Sequence, residues 1–119
     1  LDTGDFDVTV TDLDPDHLAR LKERTHARTL QLDATNRSEL TSAMQSSDSV
    51  ISALSYYFNP LVAKCALDTG ISYFDLTEDV TTTRDVRAVA AQAKEGQIFM
   101  PQCGLAPGFI SIVAYHLTK

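Results

Sequence analysis

Residues 49–76, SVISALSYYFNPLVAKCALDTGISYFDL, form a strand–helix–strand pattern that decides the fold class. The β-branched and apolar run at 49–54 predicts a strand, and a second such run follows at 71–76. Between them, Asn59 and Pro60 open a predicted helix, and Gly70 stands where a left-handed residue commonly ends one. Because strands joined by a helical crossover pair in parallel, this stretch predicts a βαβ unit.

The same alternation continues on both sides of that unit. Further strands are predicted at 7–11, 28–32 and 97–100, and further helices at 14–25, from 36, at 83–94 and from 108 to the end. Asp14 before Pro15 predicts one helix start, and Asn36 with Glu39 predicts a capping box at another. We therefore expect an α/β fold, doubly wound, with a mostly parallel sheet and helices on both faces, as in Rossmann-like domains.

Composition narrows the classes of function. The 119 residues suit one domain, and 44% hydrophobic with 22% charged residues is typical of a globular chain. A net charge of -6 argues against general binding to nucleic acid, and no apolar run is long enough to span a membrane. Cys65 and Cys103 stand apart from each other and from histidines, so no metal site is predicted, and free thiols indicate a cytoplasmic protein.

Polar and glycine residues follow each predicted strand. In open parallel sheets, ligands bind beyond the carboxyl ends of the strands. These positions are therefore the candidate site residues: Asp12, Asp33, Ser52, Ala53, Leu54, Asp75, Glu78, Asp79, Gly104 and Gly108.

Asp12 is the candidate for contact with a cofactor ribose. A carboxylate at this place accepts hydrogen bonds from ribose hydroxyls and repels a 2′-phosphate, so NAD is predicted over NADP. The alternative role, capping the next helix, is already met by Asp14. Asp33 could border an adenine or simply form a turn, and both interpretations remain open.

A dinucleotide-binding fold also needs a glycine-rich phosphate loop before this aspartate. That loop lies about 20 residues upstream of the acidic residue, and counting back from Asp12 passes Leu1. We therefore expect the chain to begin after the first strand and the phosphate loop.

Three segments, 51–60, 73–79 and 101–109, resemble the saccharopine dehydrogenase family, above all its lysine-dehydrogenase-like and saccharopine-reductase-like members. The resemblance implies an oxidoreductase that uses NAD(P) and acts on the CH–NH or CH–NH2 group of an amino acid in lysine metabolism. Residues 1–119 would be a partial NAD(P)-binding domain with no second domain in this chain.

The resemblance also implies roles for the candidate residues. Asp12 would hold the adenosine ribose, and Ser52, Ala53 and Leu54 would run beside the pyrophosphate and the nicotinamide ribose. The segments 75–79 and 104–108 would border the nicotinamide and the substrate.

Catalysis requires a base that reaches the amine or the attacking water. Asp75, Glu78 and Asp79 are the predicted candidates, although an acidic helix start would explain them equally well. Two interpretations of Gly104 and Gly108 remain open: they contact a ligand, or they only form a tight turn. The histidines at 17, 26 and 116 show no carboxylate partner in the sequence and are predicted to be surface or packing residues.

Two other functions are considered. One is a methyltransferase that uses S-adenosylmethionine, and the other is a truncated, non-catalytic module that acts through self-association. A missing first strand leaves a gap in the centre of the sheet, so either residues 8–10 pair with 50–52 or a second chain closes the gap. We expect a homodimer and weak or no NAD binding by these 119 residues alone.

Overall fold

The computed structural model describes residues 4–119 and shows an α/β fold built of parallel strands, as predicted. Two short helical turns, at Tyr56–Phe58 and Leu105–Phe109, each lead directly into a helix. The elements of this part of the chain are β1 (Thr9–Asp12), α1 (Pro15–Arg24), β2 (Arg28–Gln31), α2 (Arg37–Met44), β3 (Ser49–Ser52), α3 (Asn59–Thr69), β4 (Ser72–Asp75), α4 (Val80–Ala90), β5 (Phe99–Met100) and α5 (Ile110–Leu117).

The helix ends form for the local reasons expected. The Asp14 side chain accepts the Asp16 N–H at the start of α1, and Asn36 caps α2 in the same way. Gly70 ends α3 with φ of 83°, in the left-handed region. The helix predicted over 83–94 spans Val80–Ala90 instead, because the Asp79 carboxylate accepts the Thr82 N–H and begins the helix earlier.

The strands form two separate parallel sheets. One contains β1 and β2, and the other has the order β3-β4-β5. Of the two expected ways to close the gap, direct pairing of residues 8–10 with 50–52 is wrong, because β1 pairs with β2 and β3 pairs with β4, while β1 and β3 do not pair with each other. Closure by a second chain stays a prediction. The crossover helix α2, which connects β2 to β3, packs against α3. Among the described residues 4–119, β3 is an edge strand of its sheet, and its Ile51 is 67% exposed.

The core lies around α3, which packs against α2 on one side and α4 on the other. Tyr73 of β4 is fully buried there and stacks on Phe99 of β5 with 5.8 Å between ring centroids. Cys65 is buried in the same core. This packing holds the carboxyl ends of β3, β4 and β5 in place.

The last helix, α5, differs from the other helices because its apolar side chains are exposed. Its packing contacts are with the turn that precedes it. No helix within residues 4–119 has both the length and the apolar character required to cross a bilayer. The exposed apolar side chains of α5 are Ile110, Ile112, Val113, Tyr115 and Leu117.

Candidate functional site

The candidate residues lie at the carboxyl ends of the strands, as predicted. Asp12, Ser52 and Asp75 are the last residues of β1, β3 and β4. Asp33 follows β2, and Gly104 lies in the segment after β5. The placement agrees with the general location of ligands in parallel α/β sheets, while the role of each residue stays a prediction.

Asp12 presents an ionised carboxylate at the end of β1. One carboxylate oxygen accepts the Asp14 N–H at 2.9 Å, and the other lies 3.4 Å from Nδ1 of His17. The Asp14 N–H is the main reason why the pKa of Asp12 is lowered, and His17 lowers it further. A half-exposed carboxylate with spare lone pairs can accept hydrogen bonds from two ribose hydroxyls.

The prediction that His17 has no carboxylate partner is wrong. Its Nδ1 lies 3.4 Å from Asp12, and its Nε2 lies 3.5 Å from an Asp14 carboxylate oxygen. The reason is helical spacing, since His17 stands three residues after the N-cap and returns to the same helix face. That spacing was visible in the sequence and could have placed this histidine beside the predicted ribose site.

Asp33 forms a tight local turn. Its Oδ1 accepts both the backbone N–H of Thr35 at 2.8 Å and the Thr35 hydroxyl at 2.7 Å. These bonds lower the pKa of the Asp33 carboxyl. These hydrogen bonds support the interpretation that Asp33 forms a turn, and its Oδ2 remains available to a ligand.

At the end of β3, a ligand would contact backbone atoms more than side chains. The Ser52 hydroxyl donates a 2.7 Å hydrogen bond to Oδ1 of Asn59, and both residues are buried. Ala53 and Leu54 are exposed beyond the strand. A ligand at this place would meet the backbone of 53–54, because the Ser52 side chain is already engaged.

Asp75 is the centre of a buried hydrogen-bond network. Its carboxylate accepts the Tyr73 hydroxyl at 2.8 Å, the Thr77 N–H at 3.0 Å and the Gln102 N–H at 3.1 Å. Burial, followed by the hydrogen bond to Asp75, raises the pKa of Tyr73. The pKa of the Cys103 thiol is raised first by desolvation and then by the Asp75 charge. A carboxylate with no exposed surface is suited to holding these loops in position.

The other two predicted bases, Glu78 and Asp79, differ in how exposed they are. The Asp79 carboxylate accepts the Thr82 N–H at 2.7 Å, which lowers the pKa of Asp79 and caps α4. Glu78 is exposed. Among the three predicted bases, Glu78 is therefore the carboxylate with the most direct access to a ligand.

Gly104 and Gly108 allow close backbone approach. A Cβ on Gly104 would lie 2.6 Å from the Leu76 carbonyl oxygen, and one on Gly108 would lie 2.9 Å from the Gln102 carbonyl oxygen. Gln102 itself has φ of 67°, which is uncommon outside glycine. The loop after β5 is thus packed tightly against the loop after β4.

The chemistry at these strand ends fits a nucleoside better than a metal ion. Within the part of the chain that the structure describes, no group of three His, Cys, Asp or Glu side chains could hold a metal. Asp12 supplies a ribose acceptor at the end of β1, and the exposed backbone at 53–54 lies at the end of β3. The residues present fit the ribose part of a dinucleotide.

Comparison with known proteins agrees with this geometry. A saccharopine dehydrogenase from Saccharomyces cerevisiae (the L-Glu forming enzyme, in its apo, histidine-tagged form) superposes with a TM-score of 0.80 and 25% sequence identity. The match covers 96% of this chain and 25% of that protein, so the chain spans a quarter of its relative. The family model "Saccharopine dehydrogenase NADP binding domain" matches residues 1–100. The chain therefore belongs to the saccharopine dehydrogenase NADP-binding-domain family.

Proposed function

We propose that the chain is the cofactor-binding portion of a saccharopine dehydrogenase-like oxidoreductase. The reaction would oxidise the CH–NH or CH–NH2 group of an amino acid to an imine, with the hydride passing to the nicotinamide and the proton to a base, or would run in the reverse direction, in the chemistry of lysine metabolism. The observation that carries the proposal is the half-exposed Asp12 carboxylate at the end of β1, within a domain of the NADP-binding family. The similar yeast protein, a saccharopine dehydrogenase that forms L-Glu, supports the substrate class.

Each site residue has a proposed task. Asp12 accepts hydrogen bonds from the adenosine ribose hydroxyls, and the backbone at 53–54 borders the cofactor beyond β3. The bound nicotinamide would supply the hydride acceptor or donor. Glu78 takes or returns the proton of the amine, because it is the exposed carboxylate at the end of β4. Asp75 and Gly104 keep the two loops beside it fixed.

We propose NAD as the preferred cofactor. Asp12 repels a 2′-phosphate, and positions 13 and 14 hold Leu13 and Asp14 where an arginine would be needed to attract one. The family model is named for NADP, so the two cofactors must be compared directly. His17 next to Asp12 is the group in this region that could approach a phosphate.

Backbone amide NMR titration with NAD and NADP tests the proposal, because it detects weak binding. We expect shifts at the ends of β1, β3 and β4, larger with NAD than with NADP at the same concentration. The Asp12→Ala variant should weaken NAD binding about tenfold, the effect of losing a charged hydrogen-bonding group. Shifts that avoid these strand ends, or that Asp12→Ala leaves unchanged, would remove the proposed site.

A second candidate function is a non-catalytic module that acts through self-association in the cytoplasm. The exposed Ile51 on the free edge of β3 supports it, because open sheet edges pair with other chains. A homodimer would serve either function, and the amino-acid substrate belongs only to the first. The family match concerns a nicotinamide cofactor and therefore gives no support to a methyltransferase that uses S-adenosylmethionine.

A further inference from the structure

A pocket of about 210 Å³ lies between α4 and the segment after β5. Two arginines, a threonine, a valine and a glutamine line it. Its volume corresponds to roughly seven water-sized groups of about 30 Å³ each, which is enough for a small organic molecule. The lining residues are Val80, Thr83, Arg84, Arg87 and Gln102.

The two arginines that line this pocket are exposed. Arg84 and Arg87 are three positions apart on α4 and so share one face of the helix. Within residues 4–119 neither guanidinium has an ion-pair partner, whereas Arg28 and Arg37 each lie 2.6 Å from an aspartate. The adjacent Asp85 does not line this pocket, because it lies with Lys64 at a different depression between α3 and α4.

The backbone of Gln102, one of the polar residues that line the pocket, is held by the network at the end of β4. Gln102 adopts φ of 67°, and its N–H is bound to the buried Asp75 carboxylate. This arrangement keeps Gln102 at the rim of the pocket, beside the strand end where the candidate site lies. The pocket therefore combines two cations and an amide next to the carboxyl end of β4.

We propose that this Arg84–Arg87 pocket binds the carboxylate of a small organic acid. Arginine forks bind carboxylates through paired N–H donors, and the side-chain NH2 of Gln102 can donate a further hydrogen bond. The proposal deepens the proposed function and rests on it in one respect: the natural acid would be the amino-acid substrate of that reaction. Carboxylate binding itself requires no nucleotide.

The test is an amide NMR titration of the 119-residue chain with glutarate, without nucleotide, and with its neutral analogue glutaramide and inorganic phosphate in parallel. We expect glutarate to shift amides of α4 and Gln102, and glutaramide to leave them unchanged. Arg84→Gln and Arg87→Gln should each raise the glutarate Kd about fivefold, the scale of one exposed ion pair. The double variant should raise it about 25-fold, the product of the two effects.

Arg24→Gln is the matched control, because Arg24 is an exposed arginine at the end of α1. It should bind glutarate like the unchanged chain, and so should Asp12→Ala, which separates this test from that of the cofactor site. The proposal is overturned if glutarate causes no shifts, if phosphate binds more tightly than glutarate, or if Arg24→Gln weakens binding as much as the α4 variants do.

Discussion

The backbone N–H of Gln102 donates a 3.1 Å hydrogen bond to the carboxylate of Asp75, which lies 27 positions earlier in the chain. The Asp75 carbonyl also accepts the Cys103 N–H at 2.8 Å. These bonds join the end of β4 to the segment after β5, where the sheet ladder has already stopped. The geometry of the candidate site therefore depends on one enclosed carboxylate.

Asp75→Ala should destabilise the fold strongly. The substitution leaves the Tyr73 hydroxyl and the N–H groups of Thr77 and Gln102 without their acceptor, and buried unsatisfied groups cost about 1–3 kcal/mol each. We expect the free energy of unfolding, from urea denaturation, to fall by about 3 kcal/mol. Asp85→Ala on the exposed side of α4 is the control. A loss equal to that of the control would show that the network contributes nothing.

Gly104→Ala tests the close contact between the two loops. The added methyl would lie 2.6 Å from the Leu76 carbonyl oxygen, so the backbone must shift. Strain of this kind costs about 1–3 kcal/mol, measured again by urea denaturation. Cys103→Ala, at the exposed neighbouring position, should stay close to the unchanged chain. Equal stability of the Gly104 and Cys103 variants would contradict the close approach.

Acid should weaken the fold through Asp79. Its folded-state pKa is below the ordinary value of 3.8, because its carboxylate accepts the Thr82 N–H. A depressed pKa contributes stability above 3.8 that is lost as the pH falls through the folded-state value. Asp79→Asn keeps a capping oxygen without the titration. Thermal unfolding across the acid range should therefore show a shallower pH dependence for this variant, and identical slopes would count against the assignment.

The cofactor preference should be convertible at the end of β1. Asp12→Ala combined with Leu13→Arg removes the charge that repels a 2′-phosphate and adds a guanidinium to bind it. We expect the Kd of NAD divided by the Kd of NADP to rise about tenfold, which means that the preference moves towards NADP. Asp16→Ala, in the exposed first turn of α1, controls for the loss of charge alone. An unchanged ratio in the double variant would place the ribose elsewhere.

Self-association should depend on the open edge of β3. Ile51 is 67% exposed there, and a lysine on an edge strand opposes pairing with another chain. Sedimentation velocity should show a dimer for the unchanged chain and a monomer for Ile51→Lys. Ile98→Lys, at a 52% exposed isoleucine before β5, is the control and should remain dimeric. A monomeric unchanged chain would refute the homodimer.

The fold class and most helix starts could be predicted because local chemistry determines them. Asp14, Asn36 and Gly70 act within a few residues of where they stand, so their roles are visible in the sequence. The positions at the strand ends followed from the same local patterns.

What the sequence could not show was long-range. The hydrogen bond between Asp75 and Gln102 joins residues 27 apart, and the engagement of Ser52 by Asn59 depends on how α3 packs on β3. The packing of α2 on α3 likewise joins residues that are distant in the sequence. None of these contacts has a local sequence pattern.

The division of the sheet into two parts has a consequence for the cooperativity of unfolding. Leu18 and Ala27 are buried, but they do not belong to the main core cluster. The β1–α1–β2 unit contacts that cluster through Leu32, the residue after β2. No ladder of backbone hydrogen bonds connects β1 to β3. Segments with few shared contacts open independently of the rest of a protein. Amide hydrogen exchange in β1 and β2 should therefore proceed through a lower-energy opening than exchange in β4, so that the half carrying Asp12 melts and re-forms while the half carrying Asp75 stays folded.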